Sequence, residues 1–189
     1  MAKVYEFLAN GFEEVEALAP VDILRRGGVE IKTVSVTGSE LVESSHGVTI
    51  KADLRFEDAG DYSDADLLMI PGGLPGATNL NAHEGVRNAL LKQYESGRRV
   101  GAICAAPMVL GSIGILKGKR ATCSPGFEKY LTGAEYTAEL VTEDGNIITG
   151  EGPAATFPYA YRILSYFIGD GAVAELQAKM QYAHLMENR

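Results

Sequence analysis

The stretch RRVGAICAAPMVLGSIG (Arg98–Gly114) decides the fold and places a cysteine at its turning point. The run Val100–Ile103 is short and apolar, which is typical of a strand covered on both faces of a sheet. From Ala105 onward the small residues predict a compact helix. Cys104 is therefore predicted to be the turn residue between a buried strand and a helix.

The rest of the chain alternates strands and helices in the same way. A strand over Lys3–Leu8 leads into a helix whose first turn is acidic, whose last turn is basic, and which ends at Gly27 and Gly28. This is a strand–helix unit. The next predicted elements are strands in VEIKTVSV (29–36), VTIKADLRF (48–56) and ADLLMIPGG (65–73), and a helix in GVRNALLKQYESGRRV (85–100).

The last third of the chain predicts a hairpin and then helices. AELVTED (138–144) and GNIITGEGP (145–153) meet at Asp144-Gly145, the strongest short hairpin signal. Ala154–Met186 predicts two helices separated by Gly169–Gly171. Alternation of this kind predicts one α/β domain over residues 1–189, a doubly wound sandwich with a mostly parallel sheet and helices on both faces. Such sheets bind ligands at the carboxyl ends of their strands.

Composition excludes several classes of protein. The chain has 189 residues, a formal net charge of −8 and a pI near 4.9, which disfavours nucleic acid as a partner. The sequence has no signal-like or membrane-spanning apolar stretch, which predicts a cytoplasmic protein without a membrane partner. The two cysteines fit a reducing compartment and lack CxxC spacing, so neither a metal nor an organic cofactor is predicted.

Cys104 has two interpretations. Small buried cysteines are common core residues. A cysteine at a tight strand-to-helix turn flanked by small residues instead fits a nucleophile elbow, where the helix N-terminus would favour the thiolate. The glycine turn PGGLPG (71–76) is either an ordinary end of a strand or a source of N–H donors for an oxyanion.

The first helix supplies a candidate acid. Glu13 is expected to be a solvated carboxylate favoured by the helix dipole. Glu16 lies among apolar residues and is predicted to be buried, where a carboxyl group keeps its proton and can donate a hydrogen bond.

Four segments in this order resemble the ThiJ/PfpI superfamily over essentially the whole chain. They are EEVEALAPVDILRRGG (13–28), DLLMIPGGLPGATNL (66–80), AICAAP (102–107) and GPAATF (152–157). The likeness is to the small single-domain branch that contains a human parkinsonism-associated protein. The resemblance implies a flavodoxin-like sandwich and a homodimer. It also implies that Cys104 is the nucleophile, that the carboxyl group of Glu16 hydrogen-bonds its sulfur, and that Gly73 and Ala105 supply backbone N–H donors.

The chain departs from the family pattern at the candidate pocket. Ser124 stands where many relatives have a histidine, and Ala105 follows the cysteine where the protease-like branch has one, which disfavours a peptidase. His46 and Glu151 match positions where arginines line the pocket of the human relative. The predicted pocket-lining residues are Gly72, His46, Ser124, Glu151 and Pro153.

The resemblance leaves two functions open. The first, which is favoured, is glutathione-independent conversion of small 2-oxoaldehydes (a glyoxalase or protein deglycase activity) on a free aldehyde or a glycated protein. The second is a redox sensor or chaperone in the oxidative-stress response, in which Cys104 is oxidised without turnover. Cys123 is either a buried structural residue or a resolving partner of Cys104.

Overall fold

The computed structural model describes residues 2–188. Its strands are β1 (Lys3–Leu8), β2 (Glu30–Ser35), β3 (Leu41–Glu43), β4 (Thr49–Lys51), β5 (Leu54–Arg55), β6 (Leu67–Ile70), β7 (Arg99–Ile103), β8 (Arg120–Ala121), β9 (Glu135–Tyr136), β10 (Val141–Asp144) and β11 (Ile147–Gly150). Its α-helices are α1 (Glu14–Arg26), α2 (Gly76–Ala82), α3 (Glu84–Glu95), α4 (Pro107–Ser112), α5 (Thr156–Lys179) and α6 (Tyr182–Glu187). Single-turn 3₁₀ helices lie at Phe56–Asp58, Glu128–Tyr130 and Pro153–Ala155.

The central sheet has seven strands in the order β10-β11-β7-β6-β1-β2-β5. Neighbouring strands are parallel throughout, except that β10 runs antiparallel to β11. The β3–β4 hairpin and the β8–β9 pair form two small separate sheets. The predicted α/β fold with a mostly parallel sheet is confirmed.

Helices cover the sheet on both faces. Because side chains alternate along a strand, Tyr5 of β1 packs in a cluster with residues of α2, α3 and α4, whereas Val4 packs with residues of α1 and α5 on the opposite face. Both clusters consist of apolar side chains that are almost fully buried, which accounts for the near-continuous apolar runs of the central strands.

The strand ends assemble one edge of the sheet. β1, β6 and β7 are adjacent and parallel, and they end at Leu8, Ile70 and Ile103. The loops that follow them, with the start of α1, the glycine turn and Cys104, therefore meet at this carboxyl edge.

The segment predicted as one strand over residues 48–56 is two strands in two sheets. Thr49–Lys51 pairs with β3 in the small hairpin, and Leu54–Arg55 pairs with β2 at the end of the main sheet. Buried Ala52 and the carboxylate of Asp53, which accepts a hydrogen bond from the Thr33 backbone N–H, separate the two. A continuous alternating pattern does not reveal where a chain leaves one sheet for another.

The predicted hairpin and the predicted break between helices near the C-terminus are confirmed. β10 and β11 form the predicted hairpin, in which Asp144 pairs with Ile147 and Gly145 has a φ of 63°. α5 is broken at Gly169, with φ 78° and ψ 160°, as the glycine pattern predicts, and a short α6 follows it. Within residues 2–188, none of the helices has the length and apolar character needed to cross a membrane.

Candidate active site

Cys104 occupies a strained turn at the carboxyl edge, which we call the elbow (residues 103–106). Its φ is 63°, in the left-handed region that a non-glycine residue adopts at a cost of about 1–3 kcal/mol. Two backbone hydrogen bonds fix it there: the Cys104 N–H donates to the Gly150 carbonyl, and its own carbonyl accepts from the Ser124 N–H, both at 2.9 Å. The predicted turn between strand and helix is confirmed.

Glu16 projects from the first turn of α1 toward the elbow. Its side chain is fully buried, as predicted, and its Oε2 accepts a 2.9 Å hydrogen bond from the backbone N–H of Gly72. Glu13 begins the helix: its carboxylate accepts a 2.7 Å hydrogen bond from the Glu16 N–H. Glu13 is thus an N-cap that fixes the backbone of Glu16, a role that the sequence analysis did not assign to it.

Gly72 lies between the side chains of Glu16 and Cys104, where no larger residue fits. A Cβ at this position would lie 2.7 Å from both the Cβ of Cys104 and Oε2 of Glu16, and 3.0 Å from the backbone N of Ala105. Any larger residue would push the carboxyl group and the cysteine apart. Gly72 therefore lies in the contact between them rather than in the wall of an open pocket.

The sulfur of Cys104 is surrounded by polar groups. It faces the carboxyl group of Glu16, the backbone N–H of Gly73 and the hydroxyl of Ser124. The backbone N–H groups of Gly73 and Ala105 make no hydrogen bond to a backbone carbonyl within the described residues. The elbow therefore gathers a thiol, a carboxyl group and two available N–H donors.

Burial raises the pKa of both acids. Desolvation raises the pKa of Glu16 to about 7, against the opposing contact with Cys104. Desolvation, with the nearby Glu16 charge, raises the pKa of the Cys104 thiol to about 12. A carboxylate and a thiolate cannot share this small space without strong repulsion, so the resting pair near neutral pH carries at most one negative charge.

The expectation that the helix N-terminus favours the thiolate is wrong for the free protein. α4 is six residues long and begins at Pro107, three residues beyond Cys104, so its dipole is small and distant. Burial and the neighbouring carboxyl group outweigh it. The direction of the pKa shift of Cys104 is thus opposite to the expected one.

A pocket of about 290 Å³ opens beside the elbow. Among its lining residues are three of the predicted ones, Ser124, Glu151 and Pro153. His46 is not among them: its Nδ1 lies 3.0 Å from the Glu14 carboxylate, and its side chain is 68% exposed. Of the two residues that match arginine positions of the human relative, Glu151 therefore lines this pocket and His46 does not.

Cys123 lies apart from the sulfur of Cys104, although the two residues are close along the fold. It is fully buried in the cluster on the face of α2, α3 and α4, whereas Cys104 packs against the cluster of α1 and α5. This arrangement favours the structural interpretation of Cys123 over a resolving role.

One group of side chains has the composition of a metal site. Glu13, Glu14 and His46 each place one ligand atom within 4.8 Å of the others at the surface of α1. Exposed acidic groups often come this close without binding an ion, and the group does not include Cys104. The expectation that no metal or organic cofactor takes part stays a prediction.

The comparisons with known proteins agree with this geometry. The model of the DJ-1/PfpI family matches residues 2–166. The chain is 36% identical to the Parkinson disease protein 7 homolog of Danio rerio, covering 92% of this chain and 93% of that one. It is 32% identical to a deglycase of Pyrococcus horikoshii, covering 83% and 94%.

A solved structure extends the likeness to the fold. The oxidized form of Toxoplasma gondii DJ-1 superposes with a TM-score of 0.92 at 30% identity, covering 97% of this chain and all of that one. Fold and sequence thus agree over nearly the whole chain. The protein belongs to the DJ-1/PfpI family.

Proposed function

We propose that this protein converts small 2-oxoaldehydes to hydroxy acids without glutathione. The observation that carries the proposal is the contact across Gly72 between the buried carboxyl group of Glu16 and the thiol of Cys104. It supplies a nucleophile with its own proton acceptor, the arrangement that activates a thiol whose pKa is high. The deglycase among the relatives supports the same class of chemistry.

The first step pairs bond formation with proton transfer. The sulfur of Cys104 attacks the aldehyde carbon while its proton passes to the Glu16 carboxylate, because a free thiolate is too costly with a pKa of about 12. The aldehyde oxygen becomes an oxyanion, and the N–H groups of Gly73 and Ala105 stabilise it. Glu16 then gives the thiol proton to the oxyanion, so the product is a hemithioacetal and Glu16 is again a carboxylate.

The second stage is an internal redox change that needs no external oxidant. The Glu16 carboxylate removes the proton from the former aldehyde carbon and returns it to the neighbouring carbon, and the intermediate between these two transfers is an enediol. The hydroxyl proton of the hemithioacetal moves to the former ketone oxygen. The first carbon is thereby oxidised to a thioester and the ketone carbon is reduced to an alcohol. Water then cleaves the thioester, releasing the hydroxy acid and restoring the thiol of Cys104.

The test is consumption of methylglyoxal with formation of lactate in the absence of glutathione. Cys104→Ser should abolish turnover, and Glu16→Gln should lower kcat by about 10²–10⁴. Cys123→Ala and Glu14→Gln are matched controls that change the same residue types outside the contact, and both should retain activity. Turnover by Cys104→Ser would refute the proposal.

The pocket beside the elbow favours small substrates. Its volume is about 290 Å³, at the lower end of the range for small-molecule sites, and Ser124 in its lining faces the sulfur of Cys104. A glycated side chain on another protein remains the second substrate class that we propose, since it would present a similar small group. Competition between methylglyoxal and a glycated peptide for the same enzyme measures the preference.

A redox role is a second candidate function. The solved Toxoplasma relative is an oxidized form, and here Gly73 and Ser124 face the sulfur, where they could hydrogen-bond an added oxygen. Selective addition of two oxygens at Cys104 under mild peroxide, in a protein without turnover, would favour this role. No selective oxidation at Cys104 would eliminate it.

We also propose that the protein is a homodimer. Val15 and Leu18 on α1 and Leu41 and Val48 around the β3–β4 hairpin are exposed apolar side chains. The contact between Glu14 and His46 joins the helix to the hairpin loop, so these side chains belong to one face. Leu18→Glu should convert the dimer to a monomer in light scattering.

Localisation in the cytoplasm and a single domain over 1–189 stay predictions.

A further inference from the structure

A second buried carboxyl group lies in the layer behind the elbow. Glu6 is in the middle of β1, its side chain has no exposed surface, and neither of its oxygens has a hydrogen-bond partner within the described residues. Leaving a buried carboxyl group without a partner costs several kcal/mol in an ordinary core. Its place in a parallel strand between apolar neighbours therefore needs an explanation.

The hydroxyl of Tyr159 is the second polar atom of this layer without a partner. Tyr159 lies on α5, is fully buried, and its phenol oxygen has no hydrogen bond within residues 2–188. A Cβ at Gly101 would lie 2.5 Å from that oxygen, and a Cβ at Gly150 would lie 3.2 Å from the ring. The ring therefore packs against Gly101 of β7 and Gly150 of β11. β7 is the strand that leads to Cys104.

The register of the sheet brings the two groups to one face. Glu6 pairs with Met69, and Met69 pairs with Gly101, so the three form one row across β1, β6 and β7. Met69 packs in the cluster of α1 and α5, which also contains Tyr159. The Glu6 carboxyl group is close enough to affect the pKa of the Tyr159 phenol, although no direct hydrogen bond joins them.

We propose that Glu6 and Tyr159 bind an internal water molecule between them, and that this bridge fixes Tyr159 against the strand that carries Cys104. A water molecule satisfies both groups at once, because it can donate and accept while the carboxyl and phenol groups do the same. Two fully buried polar groups that share one face of the sheet and have no hydrogen-bond partner within the described residues are the conditions for such a site. The ligand is water, and Glu6 and Tyr159 are positioning residues.

The groups facing Glu6 favour its neutral form. Two residues of α1 change the pKa of Glu6 in opposite directions: Arg25 lowers it and Glu16 raises it. On α5, the phenol of Tyr159 contributes no positive charge. Arg25 is already paired with Asp53 at 2.7 Å. Burial is the largest effect and raises the pKa of Glu6 well above its ordinary value. A neutral acid can donate to the bridging water.

The first test is a crystal structure of the wild-type protein at a resolution that shows ordered water. We expect density for one water within hydrogen-bond distance of the Glu6 carboxyl and the Tyr159 hydroxyl. At pH 6, the infrared difference spectrum between wild type and Glu6→Gln should contain the C=O band of a protonated acid. Absence of the water or of the band would overturn the proposal.

The second test is a double-mutant cycle in urea with Glu6→Met and Tyr159→Phe. Each single variant leaves one group without its water-mediated partner, whereas the double variant removes both, so the effects should be non-additive by about tenfold in the unfolding equilibrium constant. Glu6→Gln, which can still bind water, should show less than half of the loss of Glu6→Met in free energy.

The matched control combines Glu6→Met with Tyr62→Phe. Tyr62 is a buried tyrosine on the other face of the sheet, and its hydroxyl donates to the Phe56 carbonyl. These two effects should add. Additive effects for Glu6 and Tyr159 as well would overturn the proposal, and so would equal losses in Glu6→Gln and Glu6→Met. None of these measurements uses turnover, so the result is independent of the proposed reaction.

Discussion

The two cysteines of this chain have thiols of similar acidity and very different surroundings. Burial raises the pKa of both Cys104 and Cys123 to about 12. Of the two, only Cys104 has a left-handed backbone, a partly buried rather than fully buried side chain and the carboxyl group of Glu16 beside it. We therefore expect the two thiols to differ in reactivity, because only Cys104 has a neighbour that can take its proton.

The largest expected difference between the two cysteines is in alkylation. In the native protein at pH 7.5, iodoacetamide should modify Cys104 at least about 10³ times faster than Cys123, because Cys123 reacts only after local opening that costs about 4 kcal/mol or more. Mass spectrometry of digested samples over time measures both rates. Comparable rates would mean that the core around Cys123 opens readily and would remove the contrast.

The raised pKa of Glu16 should make the free energy of unfolding depend on pH. Its pKa is about 7 in the folded protein and 4.5 in the unfolded chain, so the folded state binds more protons between these values. Stability should therefore fall as pH rises from about 4.5 to about 7, by about 3 kcal/mol from this group. The quantity to measure is the free energy of unfolding in urea from pH 4 to pH 8.

Glu16→Gln is the comparison for that titration. The stability of this variant relative to wild type should increase by the same amount over the same range, because an amide does not ionise. Glu175→Gln, which replaces an exposed carboxylate on α5, is the control. Parallel curves for Glu16→Gln and wild type would mean that Glu16 titrates normally and that its burial does not keep its proton.

The close approach at Gly72 sharpens the contrast further, since Cys123 has no such neighbour. Gly72→Ala should destabilise the fold by about 2 kcal/mol, because the new methyl group overlaps the Cβ of Cys104 and the Glu16 carboxyl. Gly171→Ala, where nothing lies within 4 Å, is the matched control and should change stability by less than about 0.5 kcal/mol. Equal effects would show that the contact is looser than 2.7 Å.

The smallest effect is expected at Ser124. Its hydroxyl faces the sulfur of Cys104 and lowers the pKa of that thiol slightly against the larger effects of burial and Glu16. Ser124→Ala should slow alkylation of Cys104 by about fivefold, the value of one neutral hydrogen bond. Ser165→Ala, on the surface of α5, should leave the rate unchanged. An alkylation rate that falls a hundredfold would contradict this and would indicate that Ser124 carries a proton, the role expected of the histidine in many relatives.

Most of the fold and the centre of the site could be predicted from local patterns. Apolar runs, the hairpin signal at Asp144 and the small residues around Cys104 all specify backbone geometry over a few residues. The strand over residues 48–56 was mispredicted because one alternating pattern serves two sheets. The acidity of Cys104 was mispredicted because burial depends on contacts from distant segments, and Glu6 and Tyr159 escaped notice because their pairing exists only in the register of the sheet.

The hydrogen bond from Cys104 to the carbonyl of Gly150 has a consequence for biosynthesis. The groups around the thiol come from residues 16, 72, 104, 124 and 150, so the site requires β1, β6, β7 and β11 of the seven-stranded sheet to be in place. In a growing chain β7 is made before β11, and parallel pairing between distant segments is slow. The thiol therefore acquires these surroundings only after β11 has been made and has paired with β7.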